Sequence, residues 1–390
     1  MIAMRTHTAA AYRVAIHLIA AVILPALAAL APQAAADALH YHRPSVAVKP
    51  VALECEVAVY GGTSAGTIAA IQAARMGRKT ILISFNQHVG GLTSGGLTAT
   101  DLGKPDSIGG LALEFYARLG GKTDFKASSA EKLYRGMLTE AGVTVLPGRK
   151  LESVNMDGTF EPVNFSELPP PRRGLPVPLR KLYEMREEIF QDHVTYQQGL
   201  LYFLANDPQL PKELQERSRK FGLDPGEFRE TGHWPHQLYI REGRRMVSDY
   251  VVTQADCEAK RLAEDSVGLA SYPMDSHFCQ RVPVEENGVM TVRNEGGFGH
   301  DCAGPYPVSY RAIVPKKEEC ENLLVPVSLS ASHVAFGSIR MEPVFMILDQ
   351  SAGTAASFAI DNQIPVQDVD YEKLKQRLVA DGQRLNFPTP

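Results

Sequence analysis

The stretch that most constrains the fold is residues 57–66, VAVYGGTSAG. Its apolar residues predict a buried strand, its two glycines predict a tight turn, and a helix is expected from Ser64 to Met76. Gly77 is placed to end that helix, and residues 80–84, TILIS, predict a second strand. A helix that begins so soon after a strand directs unpaired N–H groups and its positive dipole end at one point. The unit therefore predicts a site for the pyrophosphate of a dinucleotide.

The glycine pattern departs from the dinucleotide-binding fingerprint at two positions. The fingerprint is G-x-G-x-x-G, followed about 20 residues later by an acid that binds a ribose. Gly61 and Gly66 match the first and third glycines, Thr63 replaces the second, and Ser84 stands where the acid is expected. An ordinary strand-to-helix turn is the alternative, so the prediction depends on the flanking strands and helix.

A second glycine-rich segment follows at residues 88–103, HVGGLTSGGLTATDLG. Glycines at this density let the backbone lie against a flat ligand and adopt positive φ, although a simple flexible loop has the same composition. The two segments together predict these cofactor-binding residues: Gly61, Gly62, Thr63, Ser64, Ala65, Gly66, Gly90, Gly91, Leu92, Gly95 and Gly96.

These motifs, together with residues 306–359, closely resemble the secreted bacterial branch of the FAD-dependent oxidoreductases, which have a glutathione-reductase-like flavin domain. The resemblance covers roughly residues 55–120 and 237–381, and more weakly 191–207. It implies an α/β fold, in which a Rossmann-like FAD-binding domain of three layers with a mostly parallel sheet is joined to a largely helical second lobe. It also implies FAD as cofactor, a small-molecule substrate and an unidentified electron acceptor.

The resemblance implies a return to the flavin domain through a strand at residues 323–329 and a helix whose first turn faces the flavin ring. Pro343 fits the first turn of such a helix. Met341 and Glu342 are therefore expected beside the cofactor. Asp349 stands where the family usually has glycine, and we expect it on the solvent-facing side of the helix.

Two residues near this helix are predicted to be catalytic. Arg340 is expected to hold a substrate carboxylate or the anionic edge of the flavin, a surface salt bridge being the alternative. His333 is expected to take a proton as hydride leaves a substrate C–H bond, a structural hydrogen bond being the alternative. His277 and His300 are weaker candidates for the same cleft.

One segment of the family's flavin domain is not found in this sequence. The family has a third strand and a D-A-T-Y-E-G-D-like segment before the linker, whereas here the chain runs from residues 151–158 directly into a proline-rich stretch. Loss of that strand predicts an unpaired sheet edge. The sequence therefore leaves three functions open: an FAD enzyme that oxidises a small organic or carbohydrate-derived molecule, a non-catalytic or incomplete relative acting as a secreted binding protein, and an NAD-dependent dehydrogenase.

Composition divides the 390 residues into six segments. They are a signal peptide (1–36), a polar lead-in (37–50), the first half of the FAD-binding domain (51–155), a proline-rich linker (156–180), a helical substrate or cap region (181–300) and a C-terminal return to the FAD-binding domain (301–390). Further helices are expected at residues 111–119, 129–141, 182–194, 197–206, 242–264 and 371–381, and a strand at 143–146.

The amino-terminal segment predicts export. Arg5 and Arg13 precede the apolar residues 14–30, and the alanines at 34–36 form a cleavage signal. We expect a periplasmic or extracellular protein, an uncleaved anchor being the alternative. The net charge of −4 gives no basis for nucleic-acid binding, and no run in the mature chain is long and apolar enough to span a bilayer.

The cysteines and histidines do not form local metal motifs. No two of the five cysteines form C-x-x-C, which argues against an iron–sulfur cluster and a local redox disulfide. In an exported protein, Cys257, Cys279 and Cys302 are candidates for structural disulfides. His233 and His236 have metal-ligand spacing, but the proline between them breaks any helix and no third ligand is evident, so no metal site is predicted.

Overall fold

The computed structural model describes residues 39–41, 52–97, 99–149, 179–278 and 280–387. The predicted signal peptide, nearly all of the lead-in and most of the linker lie outside these residues. The described strands are β1 (Val57–Tyr60), β2 (Thr80–Ile83), β3 (Thr144–Leu146), β4 (Ser266–Ala270), β5 (Met274–Ser276), β6 (Gln280–Glu286), β7 (Val289–Glu295), β8 (Phe298–His300) and β9 (Tyr306–Ser309).

The described residues include two long α-helices: one has Pro343 in its first turn, as predicted, and the other covers two helices that were predicted separately. The helices are α1 (Ser64–Arg75), α2 (Gly91–Ser94), α3 (Gly110–Arg118), α4 (Ala127–Glu140), α5 (Leu179–Asn206), α6 (Lys212–Ser218), α7 (Gln254–Cys257), α8 (His333–Ile339), α9 (Glu342–Asn362) and α10 (Tyr371–Ala380). Within these ranges, no helix has the length and apolar character needed to cross a membrane.

The predicted strand–turn–helix–strand unit is present. Strands β1, β2 and β3 form a parallel sheet in that order, with Val57 opposite Thr80 and Ile81 opposite Thr144. Helix α1 ends where expected, because Gly77 adopts φ +86° and its N–H bonds to a carbonyl of the last turn. Parallel strands joined by a helix are the arrangement of a Rossmann-like fold.

Strand β1 lies at the edge of this sheet among the described residues. It pairs only with β2 there, and the Tyr60 side chain is 43% exposed. Both features agree with a sheet that lacks a neighbouring strand on this side. Residues 151–158, where the family segment was not found, lie outside the described ranges, so the shortened domain stays a prediction.

Helix α9 is the central element of the larger compact unit. Its residues Val344 and Leu348 belong to one hydrophobic cluster, and Met346 and Ile347 belong to a second. The helix also packs closely on α1, since a Cβ added at Gly353 would lie 2.7 Å from the Ala69 carbonyl oxygen. Small residues on both helices therefore bring their amino-terminal ends to the same place.

The helix predicted at residues 242–264 is wrong except for the short α7. The backbone before α7 is extended and bonds to a distant segment: Met246 N donates to Ser328 O (2.8 Å) and Val252 N donates to Ser330 O (3.0 Å). These partners are far away in sequence, so the helical spacing of apolar residues was misleading here.

The return strand predicted at residues 323–329 is also wrong. This segment forms no regular strand, although Val325 N donates to Ile313 O at 2.8 Å. The second lobe is less helical than expected, because strands β4 to β8 occupy residues 266–300. Strand β4 pairs with β9, β5 with β8, and β6 with β7, all antiparallel.

The described residues fall into two compact units. The smaller contains residues 39–41 and 187–236, and the larger contains the described parts of 52–186 and 237–387. In the smaller unit, Phe190 and Val194 are buried, and Tyr41 stacks on Phe190 at 5.3 Å between ring centroids. The two helices predicted at 182–194 and 197–206 are one continuous helix, α5.

Candidate active site

In the glycine turn before α1, two backbone segments approach each other closely. Gly61 adopts φ +125°, and a Cβ added at Gly66 would lie 2.1 Å from the Gly61 carbonyl oxygen. The chain therefore turns from β1 into α1 only with glycine at both positions. The N–H groups of Ser64 and Ala65 lie in the first turn of the helix, before any intrahelical acceptor is available to them. This end of α1 thus offers donors and a positive dipole end to an anion.

Thr63 and Ser84 explain the two departures from the fingerprint. Thr63 is the N-cap of α1, and its Oγ1 accepts from Gly66 N at 3.0 Å. Ser84 is buried, with its Oγ 3.0 Å from Asn86 Oδ1, and a Cβ added at Gly62 would lie 2.5 Å from that Oγ. The small serine fits beneath the turn, where a longer acidic side chain would be crowded.

The second glycine loop lies directly on the first. Gly90 N and Gly91 N both donate to Gly62 O, at 2.8 and 3.2 Å, and Gly90 adopts φ +102°. Gly95 and Gly96 follow α2, and a Cβ added at Gly95 would lie 2.3 Å from Gln237 Cβ. The structure therefore brings the two predicted glycine segments together in one surface.

The amino end of α9 joins this surface through a buried carboxylate. Glu342 is the first residue of α9, after the N-cap Met341, and its Oε2 accepts from Ser64 Oγ and from Thr93 Oγ1 (2.8 Å for Thr93). Burial raises the pKa of Glu342, and the two hydroxyl donors oppose that rise. The start of α1, helix α2 and the start of α9 thus meet at one carboxyl group.

A cavity of about 90 Å³ opens beside this meeting point. Leu92, Leu97, Met341 and Phe345 give it an apolar wall, and Glu342 lies in its lining. The predicted residues Leu92, Met341 and Glu342 therefore share one cavity.

Polar side chains line the opposite part of the cavity. Asp275 lies on β5, His277 follows directly after the end of that strand, and both residues line the cavity. The His277 Nε2 atom is 3.3 Å from Asp275 Oδ2, and Arg340 Nη2 is 3.0 Å from the same oxygen. These three side chains form a continuous polar chain at the cavity edge.

Arg340 is the buried member of that chain. Its side chain is 4% exposed, and Nη2 also donates to the Asp275 carbonyl oxygen at 3.1 Å. Its Nε has no hydrogen-bond partner among the described residues. The salt bridge named as the alternative is therefore present, but Arg340 is buried in the lining of the cavity and not on the surface.

His333 is not one of the described residues that line the cavity. It begins α8, is about half exposed, and its Nδ1 lies 2.8 Å from Glu242 Oε2. The ring of Phe298 contacts it edge-on at 5.7 Å. The structure thus brings Arg340 to the cavity but leaves His333 outside its lining, whereas His277, a weaker sequence candidate, lies in it.

The expectation for Asp349 is wrong. Its side chain is only 4% exposed, and its Oδ2 has no hydrogen-bond partner among the described residues. Burial raises its pKa well above the ordinary value. Residues seven and four positions away, Glu342 and Gly353, contact α1, so helical periodicity puts Asp349 on the same buried stripe.

Sequence reasoning missed several residues of the cavity. Asp101, Tyr239, Arg241 and Tyr272 line it. Asp101 belongs to the second glycine-rich segment but was not singled out, and the other three lie in segments without a recognised motif. The two-residue spacing of Asp275 and His277 was a local signal. The others come together only through the long-range packing of the larger unit.

The residues at this site fit a bound FAD. The start of α1 supplies donors suited to a pyrophosphate, and the positive end of α9 suits the anionic edge of a reduced flavin. The cavity is smaller than the roughly 300–1,000 Å³ of typical ligand pockets, so it must widen to take the flavin ring. Ser84 offers no carboxylate to a ribose, so that contact of the fingerprint is missing.

The comparison with protein-family models also indicates an FAD-binding protein. The family model described as FAD dependent oxidoreductase matches residues 56–170 and 179–378. No curated protein sequence matches the chain.

Solved structures match a limited part of the chain. THI4 of Thermovibrio ammonificans is 21% identical with a TM-score of 0.22, over 26% of this chain and 40% of its own. Thioredoxin reductase of T. acidophilum is 22% identical with a TM-score of 0.18, over 26% and 27%. The OxyS anhydrotetracycline hydroxylase of Streptomyces rimosus is 13% identical with a TM-score of 0.19, over 27% and 26%. The chain thus spans less than half the length of each of these proteins.

Proposed function

We propose that this chain, which belongs to the family of FAD-dependent oxidoreductases, removes a hydride from a small carbohydrate-derived substrate. It then passes the electrons to a separate acceptor. Its cofactor is FAD, which supplies a two-electron acceptor when bound. The observation that carries the proposal is the contact of Ser64, at the start of α1, with Glu342, at the start of α9, beside a cavity. Family membership does not favour a non-catalytic binding protein.

The chain's own residues divide the work of holding the cofactor. The turn at residues 61–66 would hold the pyrophosphate through N–H groups of Ser64 and Ala65, and Thr63 stabilises the first turn of α1 through its N-cap hydrogen bond. Glu342 keeps the two helix ends together by accepting from Ser64 and Thr93. The amino end of α9 would stabilise negative charge on a bound flavin ring.

The cavity chemistry supports a polyhydroxylated substrate. Tyr239 and Tyr272 are aromatic lining residues against which a sugar can pack, and Asp101 and Asp275 give carboxylate oxygens that accept hydrogen bonds from hydroxyl groups. We assign the proton acceptor to His277, because it lies in the cavity beside Asp275. In this assignment His277 takes the hydroxyl proton while the adjacent C–H bond gives up its hydride.

Arg340 acts in this proposal through Asp275. Its guanidinium pairs with the same Asp275 oxygen that His277 contacts, which helps to hold the Asp275–His277 pair in place. Export remains part of the proposal, since residues 1–36 read as a cleaved signal peptide. Amino-terminal sequencing of the mature protein tests it: an intact Met1 on protein recovered from the cell envelope would contradict cleavage.

Flavin retention tests the cofactor site. The purified protein is expected to be yellow and to keep a flavin spectrum after desalting. Gly66→Ala adds a Cβ that would lie 2.1 Å from the Gly61 carbonyl oxygen, so we expect loss of most bound FAD. Gly136→Ala is the matched control, because a Cβ there meets no atom within 4 Å. A colourless wild-type protein that takes up no added FAD would contradict the proposal.

Anaerobic bleaching of the flavin tests the substrate class. Sugars, sugar acids, short hydroxy acids and primary amines are mixed in turn with the oxidised protein, and the loss of flavin absorbance is followed. We expect bleaching by members of the first two groups. Bleaching by amines or simple hydroxy acids alone would leave the flavin enzyme intact but exclude a carbohydrate-derived substrate.

A further inference from the structure

Two cysteines that are distant in sequence meet behind the cavity wall. Cys257 ends α7 and is fully buried, whereas Cys302 follows β8 and is partly exposed. The interaction between their side chains shifts the pKa of both thiols. Ala303 N also donates to Cys257 O at 3.1 Å, so the two backbone segments lie side by side.

The two thiols differ in a way that suits stepwise oxidation. The interaction with Cys257 lowers the pKa of Cys302, and the same interaction, together with burial, raises the pKa of Cys257. Cys302 Sγ also lies 3.5 Å from Ser338 Oγ. Cys302 is thus both the more accessible thiol and the one that more readily gives a thiolate, which is the attacking form in disulfide exchange.

We propose that Cys257 and Cys302 are a disulfide-forming pair, oxidised by a small-molecule or protein disulfide. The Cys302 thiolate attacks one sulfur of the oxidant and releases the other as a thiol. The Cys257 thiol then loses its proton, attacks Cys302 and releases the second oxidant thiol. The chain loses two protons and two electrons, and the oxidant disulfide gains both as two thiols.

The disulfide acts on the wall of the cavity. Cys302 Sγ lies 3.1 Å from the carbonyl oxygen of Tyr272, one of the two rings assigned to the substrate. A disulfide between Cys257 and Cys302 closes a loop of the chain that contains strands β4 to β8, and it restrains the segment that carries Asp275 and His277. The cross-link also restricts the unfolded chain, which stabilises the folded state. This inference does not depend on FAD binding or on the identity of the substrate.

Peptide mapping of the full chain tests the pair. Protein purified under reducing conditions is treated with oxidised glutathione, alkylated, digested and analysed by mass spectrometry without reduction. We expect a linked pair of peptides containing Cys257 and Cys302, and free alkylated Cys320. Two alkylated thiols at Cys257 and Cys302, or a link from Cys302 to any other cysteine, would overturn the proposal. This map uses the unchanged chain, so it does not depend on a variant that folds.

A thermal measurement gives an independent readout. Oxidation is expected to raise the Tm of the wild type by about 5 °C, and to raise that of Cys320→Ser equally, since Cys320 lies outside the pair. Cys302→Ser is expected to abolish the rise. An equal rise in Cys302→Ser would show that another pair is responsible, and would overturn the assignment.

Discussion

At the scale of single residues, the cavity holds one imidazole beside a carboxylate. His277 lies 3.3 Å from Asp275 and lines the cavity, whereas His333 pairs with Glu242 outside that lining. His277→Gln is therefore expected to lower kcat by about 10²–10⁴-fold, because general-base catalysis contributes on that order. Steady-state kinetics with the substrate found by flavin bleaching measures this loss.

His333→Gln is the matched control for that loss. It removes the same imidazole from a position outside the cavity lining, so kcat is expected to stay within about twofold of the wild type. The FAD content of both variants is measured first, so that a loss of rate is not a loss of cofactor. A large loss in His333→Gln together with an active His277→Gln would reverse the assignment of the base.

Asp349 gives the chain a stability that depends on pH. Burial raises its pKa well above the ordinary value, so the folded state binds a proton that the unfolded state releases near pH 4. The contribution of the protonated Asp349 to the free energy of unfolding is fully present below about pH 4 and is lost as the pH rises through the raised pKa. Asp349→Asn cannot ionise, and we expect it to be more stable than the wild type by roughly 1–3 kcal/mol at pH 8.

The difference between variant and wild type is the quantity to measure. Tm values of both proteins from pH 4 to pH 8 are compared, because other carboxyl groups contribute equally to the two. The advantage of Asp349→Asn is expected to grow as the pH rises and to be smallest at pH 4. A difference that stays constant with pH would contradict a raised pKa at this position.

At the scale of elements, the close packing of α9 on α1 determines where both helices begin. A Cβ at Gly353 would lie 2.7 Å from the Ala69 carbonyl oxygen, so Gly353→Ala pushes the helices apart. We expect a loss of about 1–3 kcal/mol in the free energy of unfolding, as for other overpacked cores, and weaker FAD binding. Urea unfolding and FAD titration measure the two effects.

Gly136→Ala, which also changes a glycine inside a helix, is expected to change the free energy of unfolding in the opposite direction. It lies inside α4, where an added Cβ meets no atom within 4 Å. The substitution is expected to stabilise the chain by about 0.5–1 kcal/mol, because alanine favours a helix over glycine. If Gly353→Ala were equally stabilising, close contact between α9 and α1 would not be what requires glycine there.

Local sequence signals predicted those elements whose ends are fixed by nearby residues. The capping side chain of Asp370 and the terminating glycine after α1 place α10 and α1 within one residue of expectation. The extended segment before α7 was predicted as a helix, since its hydrogen-bond partners at residues 328–330 are remote in sequence. Elements that depend on such remote partners cannot be predicted from the local sequence pattern.

The candidate site also contains residues that local sequence signals predicted and residues whose roles depend on remote partners. Glycines at 61 and 66 follow from turn geometry and were predicted from spacing alone. The burial of Asp349 and the pairing of Arg340 with Asp275 depend on long-range packing, so no local pattern predicted them. The cavity is assembled from segments that meet only in the folded larger unit.

At the scale of the whole molecule, the two compact units differ in how much apolar surface they bury. The larger unit contains both hydrophobic clusters. In the described part of the smaller unit the buried large apolar residues are Leu39, Phe190 and Val194, while Tyr196 and Leu201 of α5 are more than half exposed. Since buried apolar area is the main source of stability, the smaller unit is expected to unfold first.

The single tryptophan allows this order of unfolding to be measured. Trp234 belongs to the smaller unit, whereas the FAD site belongs to the larger one. In a urea titration, tryptophan fluorescence is expected to change at a lower concentration than the release of flavin. Excess FAD is expected to raise the midpoint of flavin release by mass action but to leave the tryptophan midpoint unchanged. Superimposed transitions that move together with FAD would instead mean that the two units unfold as one cooperative body.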